Sequence, residues 1–202
     1  MTVKILDNCC SPAYLDFLKF VASTSDNWNL QYPIGEDRSW IIDEIPFEDK
    51  FLKLDILQDG IAKHHLLAGL ALGLLLQIYE AAGATDQNLF IPEMYWCGIS
   101  IKDKHTPNNT HSDLTTPLDY KTQNNFIKII GLINNDWEET WGGGFFHNGT
   151  NNYIKPTSFC IFDATKPHAA EEIFTDKKRF AIDFTVFRDQ ESLDVMKRQR
   201  GL

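Results

Sequence analysis

Cysteine is scarce in this chain: Cys9, Cys10, Cys97 and Cys160 are the only four among 202 residues, and no two form a C-x-x-C pair. A disulfide framework is therefore not expected, and all four are read as reduced thiols of a cytoplasmic compartment. Positive charge is in deficit as well. Nineteen Lys and Arg stand against 28 Asp and Glu, a formal net charge of −9. Such a chain is poorly suited to gripping a phosphate backbone, so no nucleic-acid partner is expected. Long apolar runs are missing too. The most apolar stretch, residues 66–76, is too short to cross a bilayer and reads as a buried helix, so no membrane partner is expected. The opening MTVKILDNCC lacks the apolar core of a secretory signal. No internal repeat or low-complexity linker divides the chain. With 43% apolar and 23% charged residues it has the composition of a folded domain, and its length suits one domain over 1–202.

The chain changes character near residue 90. Residues 1–89 read as a helix-rich support region. Ser11-Pro12 is a helix start, with Ser as cap and Pro in the first turn, and Leu15, Leu18 and Val21 follow at helical spacing. A second helix is expected over about 58–82, with a short strand at 37–45 between the two. Residues 90–188 hold short apolar or alternating runs at 95–101, 126–133, 144–147, 158–162, 168–174 and 179–187. Turn residues separate them, which points to a β-sandwich or barrel. Residues 189–202 form a C-terminal tail whose basic stretch, 196–200, is read as a frayed, solvated end. The fold class expected is α+β, mainly β, with the helices packed on one face.

Three residues stand out chemically. His111 and Asp113 form an H-x-D pair after a Pro/Asn-rich turn, and His168 follows far along the chain. In a strand, period-two alternation sends His111 and Asp113 to one side. Two imidazoles and one carboxylate are the ligand set of a non-haem Fe(II) oxygenase, with open coordination positions left over. A zinc hydrolase is the other reading of these ligands. Arg179 opens the run RFAIDFTVF, where Arg179, Ala181, Asp183 and Thr185 share one face and Phe180, Ile182, Phe184 and Val186 the other. An arginine facing the same interior as His168 can hold a carboxylate through its fork of donors.

Four segments, THSD at 110–113, FIKIIGLINNDWEETWGGGFF at 126–146, FCIFDATKPHAAEEI at 159–173 and KRFAIDFTVF at 178–187, resemble the 2-oxoglutarate/Fe(II)-dependent dioxygenases. The likeness is to the prolyl 4-hydroxylase-like branch and covers about half of the chain. It implies a double-stranded β-helix, a jelly-roll barrel supported by the N-terminal helices. It implies that His111, Asp113 and His168 are the catalytic iron ligands and that Arg179 holds the distal carboxylate of 2-oxoglutarate. Thr185 or Tyr95 is expected to assist Arg179, because the strand that carries a tyrosine in many such proteins reads Ile129-Ile130-Gly131-Leu132 here. The cofactors implied are Fe(II), 2-oxoglutarate and molecular oxygen. The reaction implied is hydroxylation of an amino-acid or peptidyl substrate, prolyl residues among the candidates, with release of succinate and carbon dioxide. The partner is then a small molecule or a peptide. The alternative is a non-catalytic jelly-roll module that binds a metal or ligand.

Other residues are weighed against that frame. Asp183 is placed to pair with Arg179 or to meet a cationic substrate, unless a bulge turns it outward. Trp137 and Trp141 read as aromatic packing under a loop rather than a substrate cleft. His105 reads as solvated and His147 as a strand-end residue. His64 and His65 point about 100° apart on a helix and cannot jointly hold a metal from it.

Overall fold

The computed structural model of the chain describes residues 3–31, 51–83, 89–106, 110–113, 122, 124–199 and 201. The strand expected at 37–45 lies outside them. In chain order the elements are β1 (Lys4–Leu6), α1 (Pro12–Ser23), β2 (Asn29–Gln31), β3 (Phe51–Gln58), β4 (Ile61–Ala62), α2 (His65–Gly83) and β5 (Trp96–Lys102). There follow β6 (Phe126–Leu132), β7 (Phe145–His147), β8 (Thr150–Asn152), β9 (Phe159–Asp163), β10 (His168–Ala170), β11 (Arg179–Phe187) and α3 (Gln190–Gln199).

The described strands form two antiparallel sheets. The larger runs β1-β9-β6-β11-β5-β3-β2, with β4 paired to β3; the smaller runs β10-β7-β8. Strand alternation divides the larger sheet by chemistry. On β11, Ile182, Phe184 and Val186 join the main apolar core with Ile99, Ile129 and Ile161, beneath α1 and α2. Arg179, Asp183 and Thr185 point the other way, toward the smaller sheet. The faces expected for 179–187 are those observed.

Helix α1 starts as its sequence dictates: the Ser11 side chain accepts a hydrogen bond from the Tyr14 N–H, and Pro12 fills the first turn. Helix α2 begins at His65 and not near residue 58. Residues 51–58 are a strand, and Asp59-Gly60, with φ of 53° and 76°, turns the chain from β3 into β4. Helix α2 is long and apolar enough to cross a membrane by length and composition alone. Leu67, Ala71, Leu74, Leu75 and Ile78 on one of its sides are buried in the core. The N-terminal region is thus more than helical support, since β1 pairs with β9 and β3 with β5.

The C-terminal segment also departs from expectation. It forms α3, burying Leu193 and Met196 against Phe126 and Phe187, while Lys197 pairs with Glu93. The run 168–174 keeps only Ala170 as its last strand residue. Asn148-Gly149 is the turn that returns the chain into β8. All four cysteines are free thiols. Burial pushes Cys9 and Cys160 up to about 12 and Cys10 to about 11, so each stays protonated at neutral pH.

Candidate active site

The space between the sheets is a cavity of about 280 Å³. Its far wall is built by a backbone register. His111 pairs with His168 of β10, each N–H donating to the other's carbonyl at 2.9 Å, and the Asp113 N–H donates to the Ala164 carbonyl. This extended segment puts His111 and Asp113 on one side, as alternation requires. Asp113 stands between the imidazoles: its Oδ1 is 3.6 Å from His111 Nε2 and its Oδ2 is 3.5 Å from His168 Nε2. One donor atom from each of the three lies within 4.8 Å of the others.

The tautomer of His168 follows from its partner. Its Nδ1 is 2.9 Å from the Lys166 carbonyl oxygen, which only accepts, so Nδ1 carries the proton and donates. The lone pair is then on Nε2, the atom facing Asp113, as a metal ligand requires. The aromatic rings of Phe145 and Phe162 pack on His168 and fix its plane. The chemistry of this donor set fits a divalent transition metal such as Fe(II).

Arg179 enters the cavity from the opposite wall and is only 2% exposed. Its Nε has no hydrogen-bond partner among the described residues. Gly143 makes room for it: at φ +70°, a Cβ there would stand 2.8 Å from Arg179 Cδ. Burial lowers Arg179 to about 10, leaving it charged at neutral pH. Lys102 faces Arg179 across β5 and β11 and lines the same cavity. Burial, then the Arg179 charge, pushes Lys102 down to about 8. Arg179, buried, and Lys102, half-buried, stand side by side as two cations facing the cavity.

The expected assistants of Arg179 are not placed to help it. Thr185 lines the cavity but lies six residues further along β11, about 20 Å at strand rise. Its hydroxyl instead accepts from Lys128 at 3.3 Å. Tyr95 precedes β5 and packs edge-on against Phe187, and its hydroxyl donates to Asp59 at 2.6 Å. It is not among the lining residues, whereas its neighbour Trp96 is. Lys102, unflagged in the sequence, takes the position beside Arg179.

Sequence reading also passed over Lys128. It is a lone lysine in the apolar run FIKIIGL, and it is 6% exposed. Its Nζ lies 2.8 Å from Asp183 Oδ1, 3.6 Å from Asp113 Oδ2 and 4.5 Å from the Trp96 ring centre. Asp183 therefore faces inward, and its ion partner is Lys128, not Arg179. Burial alone would raise the Asp113 carboxyl, but Lys128 and the two imidazoles outweigh it and hold it well below the usual carboxylate range. Asp113 is thus an anion ready to bind metal.

The remaining candidates lie elsewhere. Trp137 is buried, donates to the Gly142 carbonyl and packs edge-on against Trp141. Neither lines the cavity. His147 ends β7, as expected, and is buried at 4% with Nε2 3.1 Å from the Asp163 carbonyl oxygen. His64 contacts Asn27.

No protein-family model and no curated protein matches the chain by sequence. Solved structures match it by shape. One is an oxidoreductase of the 2OG-Fe(II) oxygenase family from Burkholderia pseudomallei, at TM-score 0.65 and 11% identity, covering 93% of this chain and 85% of that one. A prolyl-4-hydroxylase from Pseudomonas putida gives TM-score 0.58 at 10% identity, covering 93% and 92%. A prolyl hydroxylase from Trichoplax adhaerens, in complex with a hypoxia inducible factor peptide fragment, gives 0.61 at 11%, covering 96% and 86%. The chain has the fold of the 2-oxoglutarate/Fe(II) oxygenases, prolyl 4-hydroxylases among them.

Proposed function

We propose that the protein is an Fe(II)- and 2-oxoglutarate-dependent dioxygenase that hydroxylates an amino-acid or peptidyl substrate, its two sheets being the halves of a double-stranded β-helix. One observation carries the reading: a His-Asp-His donor set and a buried arginine face each other across a single cavity. His111, Asp113 and His168 would hold the iron, which supplies oxygen activation coupled to decarboxylation of 2-oxoglutarate. Arg179 and Lys102 would receive the distal carboxylate of the cosubstrate. Asp183, beside the metal ligands, is four residues from Arg179, about 13 Å along the strand. An arginine side chain plus a five-carbon diacid spans that distance. The apolar lining of Ile130, Phe126, Phe145 and Phe162 keeps water away from the reacting centre. Free thiols throughout suit a reducing, cytoplasmic setting.

The non-catalytic reading draws on one observation, Lys128 at 3.6 Å from Asp113, since an ammonium there competes with a metal. Lys128 is closer to Asp183 and also reaches Thr185 and Trp96, so Asp113 can be released to a metal without stranding the lysine. The deciding experiment is anaerobic addition of Fe(II) and 2-oxoglutarate, followed by oxygen. A visible charge-transfer band and succinate are expected from the parent. Both should vanish in His168→Ala, and the band should need far more cosubstrate in Arg179→Ala. Iron binding without the band would remove the 2-oxoglutarate assignment and leave the binding module.

A further inference from the structure

We infer that the cavity mouth recognises a small zwitterion, a free α-amino acid, with its ammonium on Asp183 and its carboxylate on Lys53. The inference rests on the dioxygenase reading for the chemistry, but on other residues for recognition. Asp183 on β11 and Lys53 on β3 line one cavity. Between them runs β5, where Gly98 pairs with Asp183 on one side and with Asp55 on the other. Gly98 has no side chain to fill the gap. The Trp96 indole lies over it instead, and a Cβ at 98 would stand 2.7 Å from that ring. The floor between the two charges is therefore flat and aromatic.

Each charge has valence to spare. Asp183 spends Oδ1 on Lys128, while its side chain stays 30% exposed and Oδ2 has no partner among the described residues. Lys53 has one ion partner, Asp55 at 3.6 Å, beyond hydrogen-bond reach, and its side chain is 26% exposed over the Trp96 ring. Lys128 is not available for a ligand carboxylate, being enclosed between Asp113, Asp183 and Thr185. It does fix the geometry, because one ammonium bridges Asp183 to the metal ligand Asp113. A group seated on Asp183 lies beside the metal centre. A residue within a peptide has neither an ammonium nor a carboxylate at its backbone, and would cover Asp183 Oδ2 and Lys53 without bringing either a charge of opposite sign.

The test is a binding panel on the full chain, anaerobic, with Fe(II) and 2-oxoglutarate present and again without them. The probes are the free L-amino acids, their N-acetyl and amide derivatives, and a blocked prolyl tripeptide. Calorimetry and thermal shift read the binding. At least one free amino acid is expected to bind, and its blocked forms should bind about tenfold or more weakly. Asp183→Asn and Lys53→Met should each weaken it by about tenfold, with the parent's circular dichroism retained. Equal binding of the blocked forms, binding of the tripeptide alone, no binding by any probe, or parental affinity in both variants would overturn the inference. Should Asp183→Asn not fold, Lys53→Met decides. Failure of the dioxygenase reading is seen separately, as absence of the charge-transfer band, and the metal-free titration then stands as the test.

Discussion

At the scale of the residue, this site is a set of charges placed where water is scarce. Lys102 and Arg179 repel each other, and burial discourages both, so Lys102 is the first to lose its proton as pH rises. Below about 8 it is charged and adds to the attraction for a dianion; above about 8 that attraction is lost. Affinity for 2-oxoglutarate, read from the charge-transfer band, is expected to hold steady below that pH and fall above it. In Lys102→Met the affinity should already be reduced below that pH, stay nearly flat across the same range and meet the parent's above it. Gly143 is the second residue with a sharp consequence. Gly143→Ala meets both an unfavourable φ, costing about 1–2 kcal/mol, and the Arg179 side chain. A lowered melting temperature with weaker 2-oxoglutarate binding is expected. Unchanged cosubstrate affinity in a folded Gly143→Ala protein would show that Arg179 is not the anion anchor.

At the scale of the element, the placement of Arg179 depends on how β6 and β11 are tied at one end. Asn134, just past β6 and 3% exposed, accepts from the Phe180 N–H at 2.6 Å and donates to the Lys178 carbonyl at 3.1 Å. One side chain thus clamps both residues that flank Arg179. Asn134→Ala leaves two backbone groups without their partner, a loss of about 1–3 kcal/mol. Chemical denaturation should show that loss, and the 2-oxoglutarate dissociation constant should rise although Asn134 does not line the cavity. The elements that were hardest to read in the sequence are those whose signal was weak or divided. In β3, Leu52, Leu54 and Ile56 alternate with Lys53 and Asp55, a strand pattern, yet the run leads into a strongly helical segment. The Asp59-Gly60 turn is the local mark that separates the two. The three-residue strand β1 has too few residues to show a period at all.

At the scale of the whole molecule, the two halves of the chain share one core. Leu15 and Leu18 of α1, Leu54 of β3, Leu74 and Ile78 of α2 and Ile99, Ile129 and Ile182 of the later strands form a single buried cluster. A fragment of residues 90–202 would expose the outer face of the larger sheet and leave β5 and β9 each without one of its two pairing neighbours. It is expected to lack near-ultraviolet circular dichroism and a cooperative melt, whereas the full chain shows both. A cooperatively folding fragment would mean that the N-terminal region is dispensable for the two sheets. The charge distribution also belongs to this scale. The chain carries −9 overall, yet Lys53, Lys102, Lys128 and Arg179 are gathered in one cavity, where a low-dielectric wall strengthens their pull on an anion.

The sequence by itself determined the strand periodicity of 179–187, the Ser11-Pro12 helix start, the H-x-D pair and the distant His168, because each depends on residue type and local spacing. Alternation alone puts Arg179 and Asp183 on the inner face. Which partner each inner residue meets was decided only by the tertiary structure. The register of β11 against β5 sets Lys102 beside Arg179, and its register against β6 brings Lys128 next to Asp183 and Thr185. A one-residue slip in either pairing would turn the partner residue to the other face. Thr185 shares the face of Arg179 by alternation but stands far from it along β11, and Tyr95 is turned to Asp59; only the folded sheet shows either.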